Sequence, residues 1–279
     1  MSDAPLIALE HVTVVRDVDR AARPALDDVT LSIDAGEHLC ILGPNGCGKS
    51  TLIKTITREC YPLARPGSSV RILGRDRWNV FELRARLGIV TPDLLAACST
   101  DATARDVVLS GFFSSTRIFR HHAPDAGQAA RADTLLARFG AAHLAEIPVA
   151  HLSSGEAKRV LIARALVHDP ESLLFDEPGN ALDIRAHAAL LETMSALAAE
   201  GIGIVLVTHH VEEIIPEIDR VVMLRDGRIF ADGPKARVLT SERLSALFGV
   251  EVDVGERNGR YTLVAGGASA AASAVEQDG

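Results

Sequence analysis

Eight consecutive residues, Gly43-Pro44-Asn45-Gly46-Cys47-Gly48-Lys49-Ser50, with Thr51 behind them, constrain this chain more than any other stretch. They satisfy the pattern G-x-x-x-x-G-K-[ST]. An apolar run from His38 to Leu42 precedes them and reads as a buried strand. Thr51 to Glu59 follows with Leu52, Ile53 and Ile56 on one helical face. A strand, a glycine-rich turn and a helix start aim several backbone N–H groups at one point, and the helix dipole adds roughly half a positive charge there. Gly43 to Thr51 is therefore read as a phosphate cradle. Lys49 brings a full charge for the outer phosphates, and the Ser50 hydroxyl suits Mg2+.

The remaining chain alternates strands and helices, which argues for a mainly parallel sheet. Leu6 to Val15 and Val29 to Ile33 read as two strands of a small antiparallel sheet beside the nucleotide core, with a polar loop from Arg16 to Arg23 between them. Short strands are expected at Val70–Leu73 and Leu87–Val90, the latter ended by Thr91-Pro92, with helical character over Phe81–Arg86. From Asp93 to Arg164 the pattern turns helical, clearest over Ala102–Leu109 and Asp125–Phe139, and reads as a separate lobe. Ala157 to Val167 reads as a strongly amphipathic helix. Phe112, Phe113 and Phe119 there are either packing residues or an apolar docking patch. Further on come buried strands at Ser172–Phe175 and Ile202–Val207, a long helix from Ile184 to Glu200, and a hairpin about Asp226-Gly227. Two short helices over Pro234–Phe248 and a hairpin about Asn258-Gly259 follow. The tail from residue 265 to 279 is Gly, Ala, Ser and acid, and is expected to be disordered.

Bulk properties remove several classes of function. Among 279 residues, 47% are hydrophobic but only 4% aromatic, so the core must be aliphatic. The net charge of −8 argues against nucleic acid as a partner. No apolar run approaches the roughly 20 residues of a membrane helix. Met1 to Pro5 lacks the basic and apolar regions of a signal peptide, so a cytoplasmic location is expected. Cys40, Cys47, Cys60 and Cys98 show no metal-ligand spacing. Cys47, inside the cradle, reads either as a tolerated small residue or as a redox switch.

Asp176 and Glu177 are adjacent acids at the end of an apolar strand, where such sheets bind ligands. Asp176 suits holding Mg2+, and Glu177 suits polarising a water for attack on the terminal phosphate. Leu152-Ser153-Ser154-Gly155-Glu156 opens the helix at Ala157. Taken alone it is helix capping; it is also a second anion site of the same physical kind.

These segments together bring a family into view. Leu152 to Glu156 resembles the signature loop of ABC-type ATPases, lying just ahead of a Walker B strand, Leu173 to Asp176 with Glu177. Ala181-Leu182-Asp183 resembles the D-loop, and His209 the switch histidine. Order and spacing are similar to the family over residues 6 to 248. The resemblance implies an α/β fold: a P-loop NTPase core with a mainly parallel sheet, a small antiparallel β subdomain and a helical insertion lobe. The ATPase domain would span 1–250, its lobe 93–165, and a short β hairpin 251–264. It further implies ATP and Mg2+, and a head-to-tail homodimer in which the phosphate loop of one copy and the signature loop of the other enclose each ATP. Ser153 and Gly155 would contact the γ-phosphate across the interface, Asp183 would lie at the dimer contact, and His209 would touch the γ-phosphate or order the attacking water. Separate transmembrane permease subunits would place the chain peripherally at the cytoplasmic face of the membrane.

Three positions depart from the family. Arg16 stands where an aromatic residue usually stacks on adenine; it stacks in its place or is an exposed loop arginine. Thr91-Pro92 replaces the usual Gln, which touches Mg2+ and lies near the membrane partner. Ser154 and Glu156 replace Gly and Gln in the signature. These features look like molybdate- and iron-complex-type importer ATPases and their orphan relatives. The leading expectation is the ATPase subunit of an importer; the alternative is a soluble ABC-type ATPase without a permease, in regulation or stress.

Overall fold

The computed structural model describes residues 4–16, 24–77 and 79–266. Most of the polar loop after Arg16 and all but the first residues of the tail expected to be disordered lie outside the described residues.

The chain opens with β1 (Ile7–Val14) and β2 (Leu26–Ile33), paired antiparallel with Ile7 opposite Ile33. It then enters β3 (Leu39–Leu42), turns through the glycine-rich loop into α1 (Lys49–Ile56), and returns as β4 (Ser69–Ile72) to the free side of β1. A four-residue strand carries little register information of its own, so its place in this three-stranded sheet is a finding of the structure.

After α2 (Val80–Arg86) and β5 (Leu87–Val90) come α3 (Pro92–Cys98), α4 (Ala104–Ser110), α5 (Ala126–Arg138) and α6 (Ser154–Ala165). Each of these four helices begins on a side chain that accepts a backbone N–H: Thr91, Thr103, Asp125 and Ser153. Asp125 with Gln128 and Ser153 with Glu156 complete reciprocal capping boxes. The structure corrects the amphipathic reading of the helix after Ser153. Val160 through Val167 are all buried, because α6 is enclosed by β5, α4 and α5 and keeps no solvent face there.

β6 (Ser172–Asp176), α7 (Ile184–Ala199), β7 (Gly203–Thr208), β8 (Arg220–Arg225) and β9 (Arg228–Pro234) complete a six-stranded sheet in the order β5-β6-β7-β3-β8-β9. All neighbours are parallel except β9, which folds back on β8 through Asp226-Gly227, both with positive φ. The parallel strands are buried on both faces, hence their continuous apolar sequences. Leu39, Ile41, Leu174, Val205 and Val207 face α1 and the small sheet; Cys40, Leu42, Leu173, Phe175, Ile204 and Leu206 face the opposite core. α8 (Lys235–Val238), α9 (Ser241–Phe248) and the hairpin β10 (Val252–Arg257) with β11 (Arg260–Ala265) close the chain. Val252 and Tyr261 of the hairpin join that second core.

Because β3, β5, β6 and β7 run in one direction, Gly43, Thr91, Glu177 and His209 follow their C-terminal ends and lie along one edge of the sheet. That edge is where a doubly wound sheet binds its ligand.

Candidate functional site

The helix behind the glycine-rich loop starts at Lys49, two residues before the expected Thr51, and ends at Ile56 rather than Glu59. Gly48 is its N-cap, at φ 115°. A side chain there would be strained, and its Cβ would lie 2.5 Å from the Ala25 carbonyl oxygen. Unlike α3 to α6, α1 has no side-chain cap, so the donors of its first turn are left for a ligand.

Lys49 is buried and donates to the carbonyls of Gly43 (2.6 Å) and Pro44 (3.2 Å). Its Nζ also lies 3.3 Å from Glu177 Oε1. The other carboxylate oxygen of Glu177 lies 2.5 Å from His209 Nδ1. That contact is electrostatic: the atoms are not aligned for a hydrogen bond, and both are buried without a hydrogen-bond partner. Glu177 thus stands between the loop lysine and the histidine, held at φ 46°. His210 packs against the His209 ring, with centroids 3.9 Å apart.

Asp176 Oδ1 is buried with no hydrogen-bond partner. Burial, and then the charge of Glu177, push the Asp176 carboxyl up to about 6, while Lys49 pulls the other way. An orphaned carboxylate oxygen in a groove it shares with Ser50 fits a divalent cation. Among the described residues no three His, Cys, Asp or Glu side chains gather as a metal site. Mg2+ does not ask for them, since it is commonly held by one or two protein oxygens with phosphate and water completing the shell.

A cavity of about 380 Å3 joins Arg16, Asn45, Gly46, Gly48, Lys49 and Ser50 to Glu177 and His209. Arg16 therefore borders the loop. Asn180, which lines the same cavity, was not singled out by sequence, since an Asn in a Gly-Asn turn carries no signal of its own. The Cys47 thiol is buried and its pKa is raised by burial, against a weaker pull from Lys49. A buried thiol held protonated is a poor nucleophile, which favours the tolerated small residue. Thr91 is committed locally: its hydroxyl accepts from the Leu94 N–H at 3.2 Å. Asp93 beside it pairs with Lys54 at 2.8 Å.

Ser153 and Gly155 lie elsewhere, in a separate cavity of about 410 Å3 bordered by Leu182 and Asp183. The Ser153 hydroxyl donates to Glu156 Oε2 at 2.7 Å, and the Ser153 N–H donates to the same oxygen at 2.9 Å. These bonds hold the Glu156 carboxyl below its usual range. Asp183 caps α7, accepting from the Ala186 N–H at 2.7 Å. Of the three phenylalanines, Phe112 meets His168 edge-on and Phe113 stacks on His122. Phe119 stays partly exposed, with Arg117 over its ring.

An uncapped helix start behind a central parallel strand, a buried lysine, and two acids at the C-terminal end of a strand of the same sheet define a P-loop nucleotide hydrolase. The chain belongs to the ABC transporter family, whose profile matches residues 26–180, and it is an ATP-binding ATPase. It is 31% identical over 254 residues to the uncharacterized ABC transporter ATP-binding protein YlmA of Bacillus subtilis, covering 89% of this chain and 93% of that one. It is 34% identical over 246 residues to the hemin import ATP-binding protein HmuV of Bordetella avium, covering 85% and 91%. Among solved structures it resembles cbiO1 of Clostridium perfringens, part of an ABC transporter complex (TM-score 0.69, 26% identity, 88% of this chain and 94% of that one). It also resembles a dimeric ATP-binding cassette in a post-hydrolysis state with ADP and Pi (TM-score 0.68, 27% identity, 82% and 98%).

Proposed function

We propose that two copies of this chain close head to tail on two ATP molecules and power import through separate permease subunits. One observation carries the dimer. The chain has two anion-ready loops, Gly43–Thr51 and Ser153–Gly155, and they open into different cavities. One copy cannot close its own nucleotide with both. Ile184, next to Asp183, is 91% exposed, as expected of an apolar side chain reserved for a second copy.

In this reading Lys49 leaves the carbonyls of its own loop for the β- and γ-phosphates, and Arg16 lies against the base. Ser50 and Asp176 hold Mg2+, which neutralises phosphate charge when bound. Glu177 takes the proton of the attacking water, and His209 orders that water or the γ-phosphate. Ser153 and Gly155 of the second copy meet the γ-phosphate from the far side. The ATPase domain spans 1–250 with its helical lobe at 93–165.

A partner is supported by a groove of about 510 Å3 running from Ser50 and Asp176 to Arg84 and Arg164. Arg164 is buried, and among the described residues neither arginine has a carboxylate partner. Their guanidiniums donate to the carbonyls of Ser114 and Ser115, which leaves the charge itself uncompensated, and a docked acidic side chain would neutralise it. No helix among the described residues is long and apolar enough to cross a membrane; in this reading other chains supply the membrane path. Hemin import in relatives such as HmuV supports the direction. Against a permease stands Thr91, whose hydroxyl is used up capping α3; a soluble ATPase without a membrane partner is the second reading. Purifying the Glu177→Gln chain with ATP from membrane and cytosol separates them. Co-purification of a polytopic membrane protein supports import. A soluble ATP-bound dimer alone supports the second reading, and a monomer contradicts both.

A further inference from the structure

We infer that Lys158 is a positioning residue that ties the signature helix to the loop carrying Glu177, so that each nucleotide site adjusts the catalytic geometry of the other. The inference rests on the shared-site reading only for the last clause; the tie itself is internal to one chain.

The loop from Glu177 to Asp183 is held in an unfavourable conformation. Glu177 and Ala181 sit at φ 46° and 63°, a left-handed region that non-glycine residues adopt only at a cost. Such backbone persists only where its surroundings determine it. Two turn bonds act within the loop, from Asn180 N–H to the Glu177 carbonyl and from Leu182 N–H to the Gly179 carbonyl, both at 3.2 Å. The rest comes from outside. Lys158 Nζ donates to the carbonyls of Pro178 and Asn180, directly behind Glu177. No carboxylate lies within ion-pairing distance of this ammonium among the described residues. It is half-buried, its pKa lowered to about 8 by burial against the opposing charge of Glu213. A surface lysine would keep its water; this one has exchanged it for two backbone oxygens.

From below, the loop rests on Glu213. That side chain is 1% exposed and its Oε2 accepts from the Thr208 hydroxyl at 2.6 Å, while the same hydroxyl accepts from the His210 N–H. A Cβ on Gly179 would fall 2.0 Å from Glu213 Oε1, so the loop can press no closer. Glu213 thus bounds the loop at Gly179 and, through Thr208, the backbone at His210, while Lys158 ties the loop at Pro178 and Asn180.

The consequence follows from where Lys158 sits. It lies on α6, one turn after Ser154, and lines the cavity of Ser153 and Gly155. α6 opens with the loop proposed to close one ATP, whereas the loop Lys158 holds carries the Glu177 that serves the other. A shift of α6 on ATP closure therefore pulls on Pro178 and Asn180.

The test compares Lys158→Met, which keeps the stem and loses the donors, with Lys158→Arg, which keeps donors. ATP turnover, ATP half-saturation, melting temperature and amide exchange over 177–183 are measured for each, exchange being read on the nucleotide-free chain. Lys158→Met should lose roughly 10- to 100-fold in turnover, the scale of a misplacement of about 1 Å. Its ATP half-saturation should stay within about twofold, its loop should exchange several-fold faster at an unchanged melting temperature, and Lys158→Arg should recover most of the turnover. Wild-type turnover and exchange in Lys158→Met would overturn the inference. So would an equal loss of turnover and ATP binding that Lys158→Arg does not repair. Failure of the shared site would appear separately, as a Glu177→Gln chain that stays monomeric with ATP.

Discussion

Replacing Glu177 by Gln should slow hydrolysis and tighten ATP binding together. In the chain as folded, Lys49 lies 3.3 Å from the Glu177 carboxylate, and both side chains are nearly buried, at 6% and 13% exposure. At an effective dielectric constant near 20, a pair at this distance attracts with about 5 kcal/mol. Phosphates compete with that carboxylate for the same ammonium. Removing the charge therefore frees Lys49 for the nucleotide. Desolvation of two buried charges, and the bonds from Lys49 to Gly43 and Pro44, offset most of the gross figure, leaving on the order of 1 kcal/mol, or roughly fivefold in affinity. Turnover should meanwhile fall by about 10²–10⁴, the range for a lost general base. Equilibrium binding of a fluorescent ATP analogue and phosphate release give the two numbers on one preparation. Weaker ATP binding, or turnover within a few-fold of wild type, would refute the assignment of Glu177 as both the partner of Lys49 and the base.

Other outcomes follow from single features of the site. With the Asp176 carboxyl pushed up to about 6, protons should compete with Mg2+ below that pH. The Mg2+ half-saturation of turnover should rise roughly tenfold per pH unit there, and Asp176→Asn should remove the extra slope. Because this pKa is raised in the folded state above the unfolded value near 3.9, the same group makes the metal-free chain less stable as pH rises from about 4 to about 6, measurable by thermal melts. Gly48→Ala, at φ 115° with its new Cβ 2.5 Å from the Ala25 carbonyl oxygen, should cost about 2–4 kcal/mol in denaturant unfolding and abolish ATP binding. Thr91→Ala should cost about 1 kcal/mol of stability through the lost cap of α3 while leaving Mg2+ half-saturation unchanged; a shifted Mg2+ dependence would return Thr91 to the metal shell.

Much of this was legible before any coordinates because the informative residues are local. The cradle is one unbroken stretch, and its strand and helix flanks show their periods within a few residues. Ser153-x-x-Glu156 states its own capping box. What sequence could not give is long-range. β4 joins β1 rather than the parallel sheet, and four residues cannot say so. The enclosed α6 looked amphipathic because Lys158, Arg159 and Arg164 break its apolar run. Arg164 is nevertheless buried and Lys158 points inward to carbonyls, and neither side chain's burial is written in its residue type. Glu213 is the same case: the second of two adjacent acids, buried where Glu212 is exposed, with partners, Thr208 and His187, set by the packing of β7 and α7. The adjacency of Glu177 to both Lys49 and His209 needs three strands in register, although each of the three residues carries its own signal in the sequence.

Two disabled chains, mixed, test the shared site most directly. Lys49→Ala spoils only a copy's own phosphate loop, and Ser153→Ala with Gly155→Asp spoils only the loop it offers to its partner. Each variant alone should be silent. In a mixed dimer, one site combines an intact phosphate loop with an intact signature loop, so a one-to-one mixture should regain up to about a quarter of wild-type phosphate release, since half the dimers are mixed and each has one whole site. A mixture that stays silent although mixed dimers form, or full turnover by the Ser153→Ala, Gly155→Asp chain alone, would contradict the account.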